Sequence, residues 1–133
     1  MTEVVTAVLR HQGRILLLRR GESVRTYRGR WACVSGYLEP GETPLMRAFT
    51  EILEETGLTQ EQVTLRNTGT KIDFYDTEAH AQWIIHPFLF EASTDTIVID
   101  WEHTTYAWVS PGDIGSYATV PKLAHLIRTL TKP

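Results

Sequence analysis

The chain has 133 residues, a formal net charge of −3 and a 42% hydrophobic share. That length accommodates one domain with its own core, spanning 1–133, and the mildly acidic balance argues against a general nucleic-acid binder. The single cysteine, Cys33, excludes an intrachain disulfide and fits a reducing, cytoplasmic setting. No window approaches the roughly 20 apolar residues of a membrane span, and the N-terminus does not read as a signal peptide because its short apolar run follows Glu3 and ends at Arg10.

Residues 4–10 and 14–18 read as two strands joined by a tight turn at His11, Gln12 and Gly13. A polar, basic loop follows over 21–30, then an apolar strand over 31–37 in which Cys33 is a small core residue. A turn-rich loop with Pro40 and Gly41 leads to a helix whose ends are marked. Thr43 suits the N-cap, Pro44 the first helical position and Gly57 the C′ position. At 100° per residue, Leu45, Ala48, Phe49 and Ile52 form a core face, and Glu51, Glu54 and Glu55 fall on the other side, toward a cleft or solvent. Residues 63–76 and 81–92 read as a long strand pair and 106–109 as a short strand. The segment 121–130 reads as a terminal helix with Leu123, Leu126, Ile127 and Leu130 as its apolar stripe. Strands interleaved with two helices give an α/β or α+β class with a mixed sheet. No repeat, linker or low-complexity segment interrupts the chain. The histidines at 11, 80, 86, 103 and 125 show no ligand spacing.

The chemistry concentrates in residues 36–58, GYLEPGETPLMRAFTEILEETGL. Glu51, Glu54 and Glu55 stand at i, i+3 and i+4, so they share one helical face. Like charges that close repel, and hard carboxylate oxygens suit Mg²⁺, with Mn²⁺ as the alternative, rather than zinc. The same three acids alone would equally describe a solvated helix face.

The stretch resembles the Nudix box, G-x5-E-x7-R-E-U-x-E-E-x-G-U with U a bulky aliphatic residue. Gly36, Glu42, Glu51, Ile52, Glu54, Glu55, Gly57 and Leu58 are in register, and Thr50 stands where the pattern has arginine. The N-terminal strand pair, Trp31 ahead of the box and the late EHTTYAWVSP segment are also similar to the family's layout. The resemblance implies an α/β/α sandwich with a mixed β-sheet between helices. It also implies divalent-metal-dependent hydrolysis of a nucleoside diphosphate linked to another group, a pyrophosphohydrolase reaction. Glu51, Glu54, Glu55 and the backbone at Gly36 are then the expected metal ligands, and Glu51, Glu54 and Glu102 the expected catalytic acids. Glu42 supports the loop, and Arg47, one turn before Glu51, is placed to replace the guanidinium missing at position 50. The competing expectation is a non-catalytic nucleotide-binding or sensor domain weakened by Thr50.

Five arginines, at 19, 20, 25, 28 and 30, crowd the segment before the box, with Arg20 and Arg25 as expected phosphate binders. Trp31, Tyr37 and Tyr75 are expected to contact the base, with Phe74 and Trp83 as further aromatic candidates; each also suits a strand core. Tyr75 falls 17 residues past Leu58, similar to a tyrosine in some dinucleoside polyphosphate hydrolases of the family. Proline and SQPWPFPxS-like signals of the ADP-ribose and NADH hydrolases are absent, which leaves a nucleoside triphosphate or similar small nucleotide as the expected substrate. A homodimer is an assembly the resemblance allows.

Overall fold

The computed structural model describes residues 2–133. Its elements run β1 (Thr2–His11), β2 (Arg14–Arg20), β3 (Trp31–Ala32), β4 (Val34–Tyr37), α1 (Pro44–Thr56), β5 (Val63–Thr68), β6 (Ile72–Asp76), β7 (Ala81–Ala92), β8 (His103–Val109) and α2 (Leu123–Thr131). Single turns of 3-10 helix lie at Gln60–Gln62 and Pro111–Ser116. No helix among the described residues is long and apolar enough to cross a membrane.

The sheet is mixed and carries a helix on each face, the expected α/β/α arrangement. β1 runs parallel to β7 along most of its length, and antiparallel pairs make up the rest. β1 and β2 pair directly only beside their hairpin, at Arg10 with Ile15 and His11 with Arg14. Beyond that point they splay, and residues 31–37 fill the gap. The expected single strand there is therefore two: β3 pairs with β2, β4 pairs with β1, and Cys33 is the crossing point.

The expected long strand at 63–76 is also two. β5 and β6 both pair with β7 but are separated at residues 69–71. The cause lies opposite, where Pro87 has no backbone N–H to offer a partner strand. The Gly69 N–H instead donates to the Pro87 carbonyl at 2.9 Å. A Cβ on Gly69 would lie 2.9 Å from Pro87 Cγ and 3.0 Å from Leu130 Cδ2, so only glycine fits that approach.

Strand alternation divides the apolar residues into two layers. Val5, Ala7, Leu9, Leu16 and Leu18 face α1, where they meet Ala48 and Ile52. Val8, Ile15 and Leu17 face α2, where they meet Leu126 and Ile127. Cys33 belongs to this second layer, and burial pushes its thiol up to about 12.

The ends of α1 form as the sequence expects. Thr43 accepts from the Met46 N–H, Pro44 opens the helix, and Gly57 is left-handed with φ 77°, its N–H donating to the Leu53 carbonyl. α2 begins at Leu123, two residues later than expected, because Lys122 is left-handed with φ 71°.

Candidate active site

One face of α1 departs from expectation. The acids do not all point away from the interior: Glu55 is 1% exposed and Glu51 7%, while Glu54 is exposed. The helix packs close to β4, so the buried strip of α1 runs Ala48, Glu51, Ile52, Glu55 and Thr56. Gly36 on β4 makes this approach work. A Cβ there would stand 2.2 Å from Glu51 Cδ.

Arg47 reaches two of the acids of this segment. Its Nε and one terminal nitrogen donate to the two carboxylate oxygens of Glu42, at 2.9 and 2.8 Å, and the other terminal nitrogen donates to Glu51 Oε2 at 2.8 Å. Glu42 Oε1 also accepts from the Glu39 N–H at 2.8 Å, which ties the loop before α1 into the same fork. The Arg47 hydrogen bonds hold the Glu42 carboxyl below its usual range and raise the guanidinium in turn. The Thr50 hydroxyl donates only to the Met46 carbonyl one turn back, at 3.2 Å.

Glu55 is approached from the far side by His103. The imidazole Nδ1 lies 2.9 Å from Asp100 Oδ1, and Nε2 lies 3.8 Å from Glu55 Oε1. Glu55 Oε2 meets no hydrogen-bond donor, and only a protonated Glu55 can bond to the Glu51 carboxylate beside it. Burial, then the neighbouring carboxylate of Glu51, with Glu102 and Asp100 beyond it, pushes the Glu55 carboxyl well above its usual range. Burial lowers His103, against the opposing pull of Asp100. Glu102 is raised by burial and by the surrounding acids Asp100, Glu51 and Glu54, with Arg20 acting the other way.

Among the described residues no three acid, histidine or cysteine side chains converge as a ready-made cation site. Two features nonetheless fit a hard cation. Glu55 presents a buried carboxylate oxygen that no donor meets, and the missing Cβ of Gly36 lets the Glu51 carboxylate lie directly against the backbone of β4.

A cleft of about 310 Å³ opens beside these acids. Of the residues expected to bind or act, it gathers Arg20, Gly36, Tyr37, Arg47, Glu51, Glu54 and Glu102 in its lining. Arg25, Trp31, Glu42, Glu55 and Tyr75 lie outside that lining. Trp31 instead packs edge-on against Tyr117 with ring centroids 5.1 Å apart. Tyr75 is exposed, because alternation along β6 turns Phe74 and Asp76 into the cleft and Tyr75 the other way. Arg20 is held in place by the Thr26 carbonyl, 2.9 Å from Nε. Burial lowers its guanidinium, opposed by Glu102 and Glu55, but arginine stays charged throughout the physiological range.

Four side chains of the site escape a reading of the sequence: Tyr27, Asp76, Asp100 and His103. The alternation Phe74, Tyr75, Asp76 carries a signal for Asp76, and the i, i+3 spacing of Asp100 and His103 one for that pair.

A mixed sheet between two helices, with an acid-bearing helix against a glycine on the adjacent strand, defines a class of small α/β hydrolases built around a carboxylate site. The profile of the NUDIX domain matches residues 1–130, and the chain belongs to the Nudix family. It is similar to the bis(5′-nucleosyl)-tetraphosphatase (asymmetrical) of Caenorhabditis elegans, at 24% identity over 98 residues, 74% of this chain and 71% of that one. It is also similar to nucleoside triphosphatase NudI of Escherichia coli, at 28% identity over 125 residues, covering 86% of this chain and 85% of that one. Among solved structures, the MutT protein from Methanosarcina mazei superposes with a TM-score of 0.75 at 27% identity, covering 98% and 96% of the two chains. The protein is a pyrophosphohydrolase of the Nudix type.

Proposed function

We propose that the protein hydrolyses a phosphoric anhydride bond in a nucleoside triphosphate or similar small nucleotide, with Mg²⁺ held by Glu51, Glu54 and Glu55 and by the backbone at Gly36. Mn²⁺ is the alternative ion. The observation that carries this reading is the pair of buried acids Glu51 and Glu55 on the helix of the family's box, with no donor facing Glu55 Oε2. A buried acid left without a partner is costly to a fold, so its retention argues for a ligand.

When bound, the cation supplies charge neutralisation for the phosphates and acidifies coordinated water. The chain's own groups do the rest. Arg47 fixes the Glu51 carboxylate through one hydrogen bond while its other two nitrogens grip Glu42. Arg20, lining the cleft, faces the substrate's negative charge. Glu102 accepts the proton of the attacking water. Its raised affinity for protons makes it a stronger base than an ordinary carboxylate. Water oxygen bonds to phosphorus, the anhydride P–O bond breaks, and the displaced phosphate leaves with the bond's electron pair. The cytoplasmic setting and single-domain organisation read from the sequence belong to this same proposal.

The test is release of phosphate or pyrophosphate across a nucleotide panel, with and without Mg²⁺, using Glu54→Gln as control. Metal-dependent turnover that disappears in the control is the expected result. Nucleotide binding without turnover would replace this reading with that of a sensor domain.

A further inference from the structure

The cleft has a second polar group that the hydrolytic reading does not use. Asp76 ends β6, lines the cleft and is 6% exposed. Its Oδ1 accepts from the backbone N–H groups of Glu78, at 3.0 Å, and Ala79, at 3.2 Å. Its Oδ2 accepts from the hydroxyl of Tyr27, which also lines the cleft. A carboxylate has about four acceptor positions, so Oδ1 is filled and Oδ2 has one left. The Tyr27 oxygen, with its own hydrogen directed at Asp76, is likewise an acceptor. The pair thus presents two adjacent acceptors and no donor.

The surrounding walls are aromatic. Phe74 and Trp83 are register partners on β6 and β7, and both line the cleft. Trp83 stacks with Tyr37, rings 6.2 Å apart at 28°. Flat apolar walls with one polar edge are what a nucleobase requires.

We infer that Asp76 and Tyr27 form a base-reading subsite selective for a guanine-type base, whose N1–H and 2-amino group are adjacent donors. Adenine and cytosine each set a single amino donor beside a ring acceptor, which the pair repels. Uracil and thymine flank their one N–H with carbonyls on both sides. The expected order of affinity is therefore guanine first and uracil or thymine last. This inference rests on the reading that the cleft takes a nucleotide.

Isothermal titration of the full chain with GMP, IMP and UMP, in EDTA, reads the base separately from any hydrolysis. IMP lacks only the 2-amino group. A hydrogen bond to a charged acceptor should make GMP bind about tenfold more tightly than IMP. Asp76→Asn puts a donor against donors and should bring GMP to the affinity of IMP. Tyr27→Phe leaves the Asp76 bonds to Glu78 and Ala79 intact, removes the acceptor for N1–H, and should weaken GMP and IMP by the same factor while preserving their ratio, a readout that stands even if the first variant fails to fold. Equal binding of GMP and IMP to the wild type, tighter binding of UMP, or binding of none of the three overturns the inference. Selective binding without turnover on the nucleotide panel would keep this subsite and sink the hydrolytic proposal; turnover without base selectivity would do the reverse.

Discussion

The two helices use the same device for different ends. Each turns one strip inward against the sheet. In α2 the strip is Leu123, Leu126, Ile127 and Leu130, entirely aliphatic. In α1 two of the five buried positions are Glu51 and Glu55. Burying an unpaired acid costs several kcal/mol unless it is neutralised or bonded, so an acidic strip weakens a helix that an aliphatic one would anchor. The ends differ in the opposite sense. α1 has a side-chain N-cap, a proline at its start and a left-handed glycine after it, whereas α2 has no side-chain cap. The termini of α1 thus offset part of what its interior face gives up, and that face carries the acids of the proposed metal site.

The sharpest way to break this contrast is to make each helix resemble the other. Glu55→Gln keeps the shape and removes the charge. It should lower Mg²⁺-dependent turnover about 10²- to 10³-fold while the metal-free protein melts no lower than wild type. Leu126→Ala on α2 should do the converse, losing about 2–5 kcal/mol of stability with unchanged turnover per folded molecule. Steady-state kinetics beside thermal unfolding reads both, and a Glu55→Gln protein that is unstable but active would erase the distinction between the helices. Gly36→Ala comes next. Its methyl group would meet Glu51 Cδ at 2.2 Å, and displacing a carboxylate by about 1 Å can cost on the order of 10²-fold in rate. Wild-type turnover in that variant would show that the position of Glu51 is not critical.

Much of α1 is legible in the order of its residues. Thr43, Pro44 and Gly57 act through local backbone chemistry, so their roles follow from residue type and position. The burial of Glu55 is not legible in that way. A helical wheel separates apolar from charged residues, but it does not know that Gly36 lets β4 press against the polar side of the helix. The breaks at Cys33 and at residues 69–71 are hidden for a related reason. Each depends on which strand lies alongside, a contact distant in sequence. Placing the aromatics requires the same knowledge. The alternation along β6 is readable, but which parity faces the cleft is not, and so the sequence favours Tyr75 where the fold turns Asp76 inward.

Arg47 offers a smaller perturbation of the acidic strip. Its three nitrogens serve Glu42 twice and Glu51 once, so Arg47→Ala should cost about tenfold in turnover, as loss of an outer support to a ligand does. Stability should fall as well, because the variant leaves the buried Glu51 carboxylate without its ion-pair partner. Adding Thr50→Arg to that variant tests whether the guanidinium can enter from the family's usual position. Recovery of activity would mean the two positions are interchangeable sources of one contact. No recovery, with the single Thr50→Arg protein equal to wild type, would tie the site to the geometry of position 47.

The subtlest expected difference between the helices is in pH dependence, because α1 buries titratable groups and α2 buries none. The Glu55 carboxyl holds its proton more tightly folded than unfolded. The folded state therefore binds more protons, and stability falls as pH rises above the unfolded carboxylate value of about 4.3. His103 acts in the opposite direction. Its folded affinity is lowered, so the contribution it makes is present above the unfolded histidine value of about 6.5 and is lost as pH falls below it. The two trends overlap, and the wild-type curve alone does not separate them. Comparison with Glu55→Gln does, because that variant retains His103 and lacks the titrating carboxyl. Melting both proteins in EDTA from pH 5 upward, the stability of Glu55→Gln relative to wild type should grow with pH. A constant offset would mean that Glu55 ionises in the fold as readily as in the open chain, and the acidic strip of α1 would then be no more costly to bury than the aliphatic strip of α2.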